Sequence, residues 1–302
     1  MKKHLIAAAV AGVLAAPAMA QVSVYGIMDL AVRSSSPDVG PSTTTLVSGS
    51  FYTSRLGFKG TEDLGGGLKA SFTLEGKVDA DTGATTLGNR ESSVALSGGF
   101  GAITLGRTDT SQSEAVELVA HFANMGNFGL HGTALANPEY GGDQPNTIRY
   151  TSPSMGGVTL QVGTSLGDER ADGEDLNSIS LAYAAGPLSI AVGFDDAGDD
   201  DYKAIGARYN AGAFAVGFHT GKRDAATDVE VMGLSAMINL GSGMAAHVGY
   251  RTTETGTAEV KITNLGVSKA LSKRTTLVGM YQDTDKGATA GSFFQANVVH
   301  KF

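Results

Sequence analysis

The chain has 302 residues, a formal charge of −8 at pH 7, 42 glycines and no cysteine. Without cysteine, neither disulfides nor thiol chemistry is available, and the acidic balance argues against nucleic acid as a partner, because phosphate binding requires basic patches. Glycine well above its usual share of about 7% favours turns and strongly curved strands over helices.

The N-terminal segment has the pattern of an export signal. Two lysines precede an apolar run over residues 5–16, and residues 18–20 (AMA) form a small-x-small cleavage site. The apolar run is shorter than the stretch of about 20 residues that a membrane-spanning helix needs. We therefore predict a signal peptide over residues 1–20 and a mature chain that begins at Gln21.

After this segment, apolar and polar residues alternate in short runs, which is the pattern of β-strands with two different faces. In the first run, Val22, Val24 and Met28 fall on one face, while Tyr25 and Asp29 fall on the other. The predicted strands are 22–33, 50–60, 68–77, 89–97, 101–107, 146–152, 157–166, 176–185, 187–195, 202–210, 212–220, 229–240, 243–252, 259–270, 275–284 and 292–302.

The number of strands and the lengths of their connections point to a membrane barrel. Sixteen is an even number, as in single-chain bacterial barrels, and tight turns alternate with longer polar loops, as the two rims of such a barrel require. A barrel of this size encloses a water-filled lumen. We predict an all-β fold, a sixteen-stranded antiparallel transmembrane β-barrel over residues 21–302.

One connection, residues 108–145, is much longer than the others. Loops of roughly 38 residues are usually either functional or disordered. This one is not of low complexity: it contains a possible helical patch, several glycines, and the acids Glu114, Glu117 and Glu139. The residues of the helical patch are Ala115, Val116, Leu118, Val119 and Phe122. We predict that this third loop folds into the barrel and sets its bore.

Several short motifs, in order and spaced along the mature chain, carry a family resemblance. They are residues 54–60 (SRLGFKG), 61–65 (TEDLG), 89–90 (NR), 100–101 (FG), 105–107 (LGR), 138–143 (PEYGGD) and 146–153 (NTIRYTSP), with the terminal Phe302. The chain resembles the sixteen-stranded general diffusion porins of Gram-negative outer membranes. The resemblance implies a water-filled outer-membrane channel for passive diffusion of small hydrophilic solutes and ions. It also implies a homotrimer surrounded by outer-membrane lipid and lipopolysaccharide.

The resemblance also implies a pore constriction. In this family the third loop carries acids that face arginines on the opposite wall, which assigns Glu139 to the loop and Arg55, Arg90 and Arg149 to the wall. Alternation independently places Arg55 and Arg149 on the polar faces of their strands. Simple alternation places Arg90 on the apolar face, so either a bulge changes the register there or that face packs on another subunit.

The last predicted strand ends on Phe302. Residues 22–33 must pair with this strand to close the barrel, since an open edge in lipid leaves backbone groups unsatisfied. The resemblance adds that porins use a C-terminal aromatic residue as an assembly signal. Two arginines bear on the predicted trimer: alternation places Arg90 and Arg107 on the apolar faces of their strands. Lipid would not tolerate a charged side chain there, but a subunit interface would. The outer faces of the N-terminal strands are also poor in large residues.

Other functions fit the sequence less well. A hydrolase barrel would need a Ser–His pair; His219 and His247 fall on inward faces, but no G-x-S-x-G motif is present. Residues 168–179 fail as a calcium loop because Arg170 and Ile179 stand where ligands belong. We therefore predict no enzyme activity and no catalytic, cofactor or metal site. A substrate-selective channel remains the nearer alternative, and the sign of ion selectivity stays open.

Overall fold

The computed structural model describes residues 21–120, 142–169, 173–198, 200–287 and 290–302, and within them one antiparallel sheet contains every named strand. The strands are β1 Gln21–Pro37, β2 Thr43–Ser48, β3 Arg55–Gly65, β4 Leu68–Asp79, β5 Ala84–Gly98, β6 Gly101–Asp109, β7 Asp143–Thr151, β8 Val158–Ser165, β9 Leu176–Ala185, β10 Leu188–Ala197, β11 Asp200–Asn210, β12 Phe214–Asp224, β13 Val229–Gly241, β14 Met244–Thr255, β15 Ala258–Ala270, β16 Thr275–Thr284 and β17 Gly291–Lys301. Helix α1 covers Ser111–Ala120, and a short 3₁₀ helix covers Gly167–Glu169.

The sheet closes on itself. β1 pairs with β17, from Ile27 opposite Lys301 to Pro37 opposite Gly291. The other edge of β1 is shared, because residues 30–35 pair with β2 and residues 21–27 pair with β3. From β3 onward each strand pairs with the next. Since β2 and β3 occupy one position, the described strands form a closed barrel of sixteen positions, and the predicted fold class is confirmed.

The two faces of the wall differ as predicted. On β17 the outward Phe294 and Val298 are more than half exposed, whereas the inward Gln295 and Asn297 are buried. The same division holds on β1, where Val24 is exposed and Asp29 is buried. An apolar outer band and a polar interior are what lipid outside and water inside a barrel require.

The two rims also differ. Short connections such as those between β3 and β4 and between β9 and β10 lie at one end. The strand ends that the longer connections join, Asp109 with Asp143 and Ser165 with Leu176, lie at the other. Gly65, Gly66 and Gly67 all have positive φ angles, which explains the glycine run in the first short turn. In the described ranges, no helix is long and apolar enough to cross a membrane.

The predicted strand over residues 50–60 is wrong in its first half. β3 begins only at Arg55, residues 43–48 form the unpredicted strand β2, and residues 49–54 leave the ladder between them. The buried Asp29 carboxylate accepts the backbone N–H groups of Phe51 and Tyr52, at 2.5 and 2.7 Å. These bonds replace ladder bonds and turn the segment into the lumen, which is why Tyr52 does not share the outward face of Leu56 and Phe58.

Candidate functional site

Arg55 and Arg90 meet on the inner wall at one carboxylate. Glu75 of β4 lies between their strands, and its Oε1 atom is 3.5 Å from Arg55 Nη1 and 2.7 Å from Arg90 Nε. Its side chain is only 10% exposed. One carboxylate oxygen therefore accepts a hydrogen bond from Arg90 and forms an ion pair with Arg55. Glu75 was not predicted as a site residue, although it lies on the polar face of the predicted strand over residues 68–77.

A bulge brings Arg90 to the inner face. Glu75 pairs with Glu91, but the next pair on β4 is Lys77 with Thr86, so residues 87–90 leave the ladder. The bulge needs a glycine opposite it, because a Cβ at Gly76 would lie 2.3 Å from the carbonyl oxygen of Thr86. Of the two alternatives for Arg90, the structure shows the change of register.

Arg149 of β7 links the wall to the long connection. Its guanidinium forms an ion pair with Glu114 of helix α1. Its Nη1 also donates a hydrogen bond of 2.8 Å to the main-chain oxygen of Asp109. The Arg149 side chain is 9% exposed and that of Glu114 is 46% exposed. Two further acids lie where the long connection leaves and re-enters the wall, because Asp109 and Asp143 are cross-strand partners at the ends of β6 and β7.

Helix α1 begins with a local capping arrangement. The Thr110 hydroxyl accepts the backbone N–H of Ser113 at 3.0 Å, as an N-cap residue does. The same hydroxyl donates to Asp195 Oδ2 at 2.8 Å, and Asp195 also accepts a bond from Ser178 Oγ. Since Asp195 is on β10 and Ser178 on β9, the start of the helix is tied to the part of the wall formed by these two strands.

The helix packs on small inward-facing residues of that wall. Ala115 contacts Ala191, and Val116 contacts Ala204. Gly193 leaves room for Gln112, because a Cβ at that glycine would lie 2.6 Å from the Cα of Gln112. The small residues on the inward faces of β10 and β11 thus form the surface on which helix α1 packs. The predicted helical patch is confirmed for its described part.

Glu139 lies outside the described residues, as do the side chain of Glu117 and all of residues 121–141. The structure thus pairs Arg55 and Arg90 with Glu75, and Arg149 with Glu114. The position of Glu139 stays a prediction.

The two inward histidines are confirmed as inward. His219 is 2% exposed, and His247 Nε2 is 2.8 Å from Ser268 Oγ. A nucleophilic serine would also need a carboxylate to orient the imidazole. The described residues that line the cavity beside His247 include no Asp or Glu. Across the described ranges, no group of three or more His, Asp or Glu side chains is arranged to hold a metal ion.

Comparisons with known proteins agree with the fold. The family model for Gram-negative porins matches residues 7–289. Outer membrane porin protein 32 of Delftia acidovorans is 34% identical, over 92% of this chain and 88% of that one. The solved structure of an anion-selective porin from Comamonas acidovorans is similar with a TM-score of 0.80 and 27% identity, covering 94% of this chain and all of that one. OmpF of Salmonella typhi shares the fold, with a TM-score of 0.75 at 13% identity over 94% and 98% of the two chains.

Proposed function

We infer how the lumen works from one premise: the chain belongs to the Gram-negative porin family and is an outer-membrane porin, a channel for passive diffusion of small hydrophilic solutes and ions. We propose that Arg55, Arg90 and Arg149 form the charged wall of its narrowest section. In this proposal the loop over residues 108–145 faces them, with Glu139 as a loop acid.

The observation that supports this proposal is the way the guanidinium groups are held. Glu75 forms ion pairs with Arg55 and Arg90. Glu114, near the start of the loop, forms an ion pair with Arg149. Charge-assisted bonds of this kind restrict a long side chain to one position. Fixed charges on opposite sides of a narrow water column set up a transverse field, which orients dipolar solutes and penalises apolar ones. Such a filter needs no substrate site and no chemistry, so we propose no enzyme activity.

The same pairing bears on ion selectivity. The similar structure from Comamonas acidovorans is titled an anion-selective porin, and we propose that this chain also prefers anions. Because Glu75 and Glu114 cancel part of the charge of the three arginines, we expect a weaker preference than bare arginines would give.

Reversal potentials in a planar bilayer under a salt gradient test the wall directly. Replacing Arg55 and Arg149 together with Gln should shift permeability toward cations, and Glu139→Gln should shift it toward anions. The matched control is Lys69→Gln with Lys286→Gln, which removes two positive charges near the rims. If the arginine variant and this control give the same reversal potential, the constriction lies elsewhere.

We further propose that residues 1–20 are a signal peptide and that the mature barrel forms a homotrimer among lipid and lipopolysaccharide. Arg107 supports the trimer, because alternation along β6 places it on the same outward face as the exposed Ile103 and Leu105. A charged side chain on that face is costly against lipid but not against another subunit. Arg90 no longer supports it, because the bulge turns this side chain inward. An unboiled detergent sample should migrate as an oligomer that heating dissociates, and a monomeric mass by light scattering would contradict the trimer.

A further inference from the structure

The inward segment, residues 49–54, is a second obstruction in the lumen and is separate from the long loop. It lies between β2 and β3, halfway along β1, and turns two aromatic side chains inward. Phe51 is 1% exposed and packs in a cluster with Val278 and Val299 on the inner faces of β16 and β17. The rings of Phe51 and Tyr52 meet edge to face, with their centroids 4.9 Å apart.

Polar bonds fix this segment in place. Asp29 accepts the two backbone N–H groups already described, and Asn297 donates to its other oxygen at 2.7 Å. Asn297 and Gln295 both donate to Ser50 Oγ, at 2.9 and 3.2 Å. Ser54 Oγ accepts the backbone N–H of Asp29 at 2.9 Å. A segment held by bonds to β1 and β17 keeps its aromatic rings in one position, as a binding surface requires.

Tyr52 forms one side of a cavity of about 510 Å³ at the short-turn end of the lumen, which we call the basic cavity. Its cationic lining residues are Lys273, Arg274 and Lys301, and none of its described lining residues is Asp or Glu. The ammonium of Lys301 lies 4.7 Å from the centroid of the Tyr52 ring. Met237 adds apolar surface.

We propose that the basic cavity binds small aromatic carboxylates. Three cations without a lining carboxylate favour an anion, and the hydroxyl–imidazole pair of Ser268 and His247 offers hydrogen bonds to it. The Tyr52 ring and the Met237 thioether favour a flat apolar body, through aromatic and sulfur–aromatic contacts. The volume is within the range of small-molecule sites. The ligand carries both features at once, a carboxylate for the cations and an aromatic ring for Tyr52.

Benzoate is the probe, and acetate at the same concentration and ionic strength is its control. Benzoate added to the short-turn side of a single channel in a planar bilayer should interrupt the ion current, and acetate should not. Tyr52→Leu keeps apolar bulk but removes the ring, so the benzoate concentration for half block should rise about fivefold. Lys273→Gln with Arg274→Gln should raise it about tenfold.

Two matched variants control for general effects. Tyr281→Ala removes a ring from the outer face, and Lys69→Gln removes a charge near another short turn; both should respond to benzoate as wild type does. Open-channel conductance in plain salt reports the channel itself, so loss of block with normal conductance concerns only the basic cavity. Equal responses to benzoate and acetate, or an unchanged block in Tyr52→Leu, would overturn the proposal. Block that survives in Tyr52→Leu but disappears when Arg55 and Arg149 are replaced would place the anion at the constriction and overturn it as well.

Discussion

Replacing Glu75 with Gln should move the permeability of the channel toward anions. Gln keeps an oxygen that can accept the bond from Arg90, so the geometry of the wall is retained while one negative charge is lost. A monovalent ion that passes about 6 Å from the carboxylate interacts with it by roughly 0.7 kcal/mol in water. A Debye length of about 10 Å in 0.1 M salt reduces this to roughly 0.4 kcal/mol.

The loss of this negative charge affects cations and anions in opposite directions. Cations lose an attraction and anions lose a repulsion of equal size, so the anion-to-cation permeability ratio should rise by roughly 0.8 kcal/mol, or about fourfold. The low dielectric of the wall can only increase this figure. The assay is the reversal potential in a tenfold potassium chloride gradient, first at low and then at high ionic strength, where screening should shrink the difference.

The control for this prediction is Glu62→Gln, which removes an exposed acid from β3, the strand that carries Arg55. It should leave the permeability ratio within error of wild type. A Glu75→Gln channel with an unchanged ratio, or one shifted toward cations, would refute the reasoning that Glu75 offsets the charge of Arg55 and Arg90 within reach of passing ions.

Three further predictions concern helix α1, the C-terminus and the signal peptide. Gly193→Ala should push helix α1 off the wall and lower single-channel conductance, because the added Cβ would meet the Gln112 backbone. The control Gly279→Ala should leave the conductance unchanged, because the nearest neighbour of its Cβ would be a Val267 methyl at 3.8 Å. Deleting Phe302 should sharply lower the amount of assembled, heat-modifiable barrel in cells while a refolded sample stays β-structured, since its ring covers Gly26 and its backbone pairs with that glycine; normal outer-membrane levels would show that the terminus is dispensable. N-terminal sequencing of the exported protein should begin at Gln21, and a chain that retains Lys2 and Lys3 would contradict cleavage there.

The sequence predicts most of the wall because two solvents impose its pattern. Lipid outside and water inside demand alternation at period two along each strand. Even on the terminal strand, alternation separates the exposed Phe294 from the buried Gln295. Closure through β1 and β17 follows from the cost of an open edge in hydrocarbon. These are local patterns and one global constraint, and both can be recognised without a structure.

The departures from the ladder could not be predicted in the same way, because their causes are distant in sequence. The inward turn at Phe51 depends on Asp29, 22 positions earlier, and on Asn297, which is 268 positions from Asp29. Alternation around Tyr52 is compatible with either face, since an aromatic residue suits both lipid and a packed lumen. The bulge before Glu91 likewise becomes necessary only when Gly76 of the neighbouring strand is known to oppose it.

Three of the places where the chain leaves the ladder share one physical feature, an inward carboxylate that holds the displaced chain. Asp29 holds the backbone of the inward segment, Glu75 holds Arg90 after the bulge, and Asp195 holds Thr110 at the start of helix α1. Backbone that leaves a ladder on the lipid side would lose its hydrogen bonds, whereas on the lumen side water and carboxylates can replace them. Segments in a barrel of this kind should therefore leave the wall inward, at the level of an inward acid. An aspartate or glutamate on the polar face of a predicted barrel strand is accordingly a signal that a loop or bulge is anchored there.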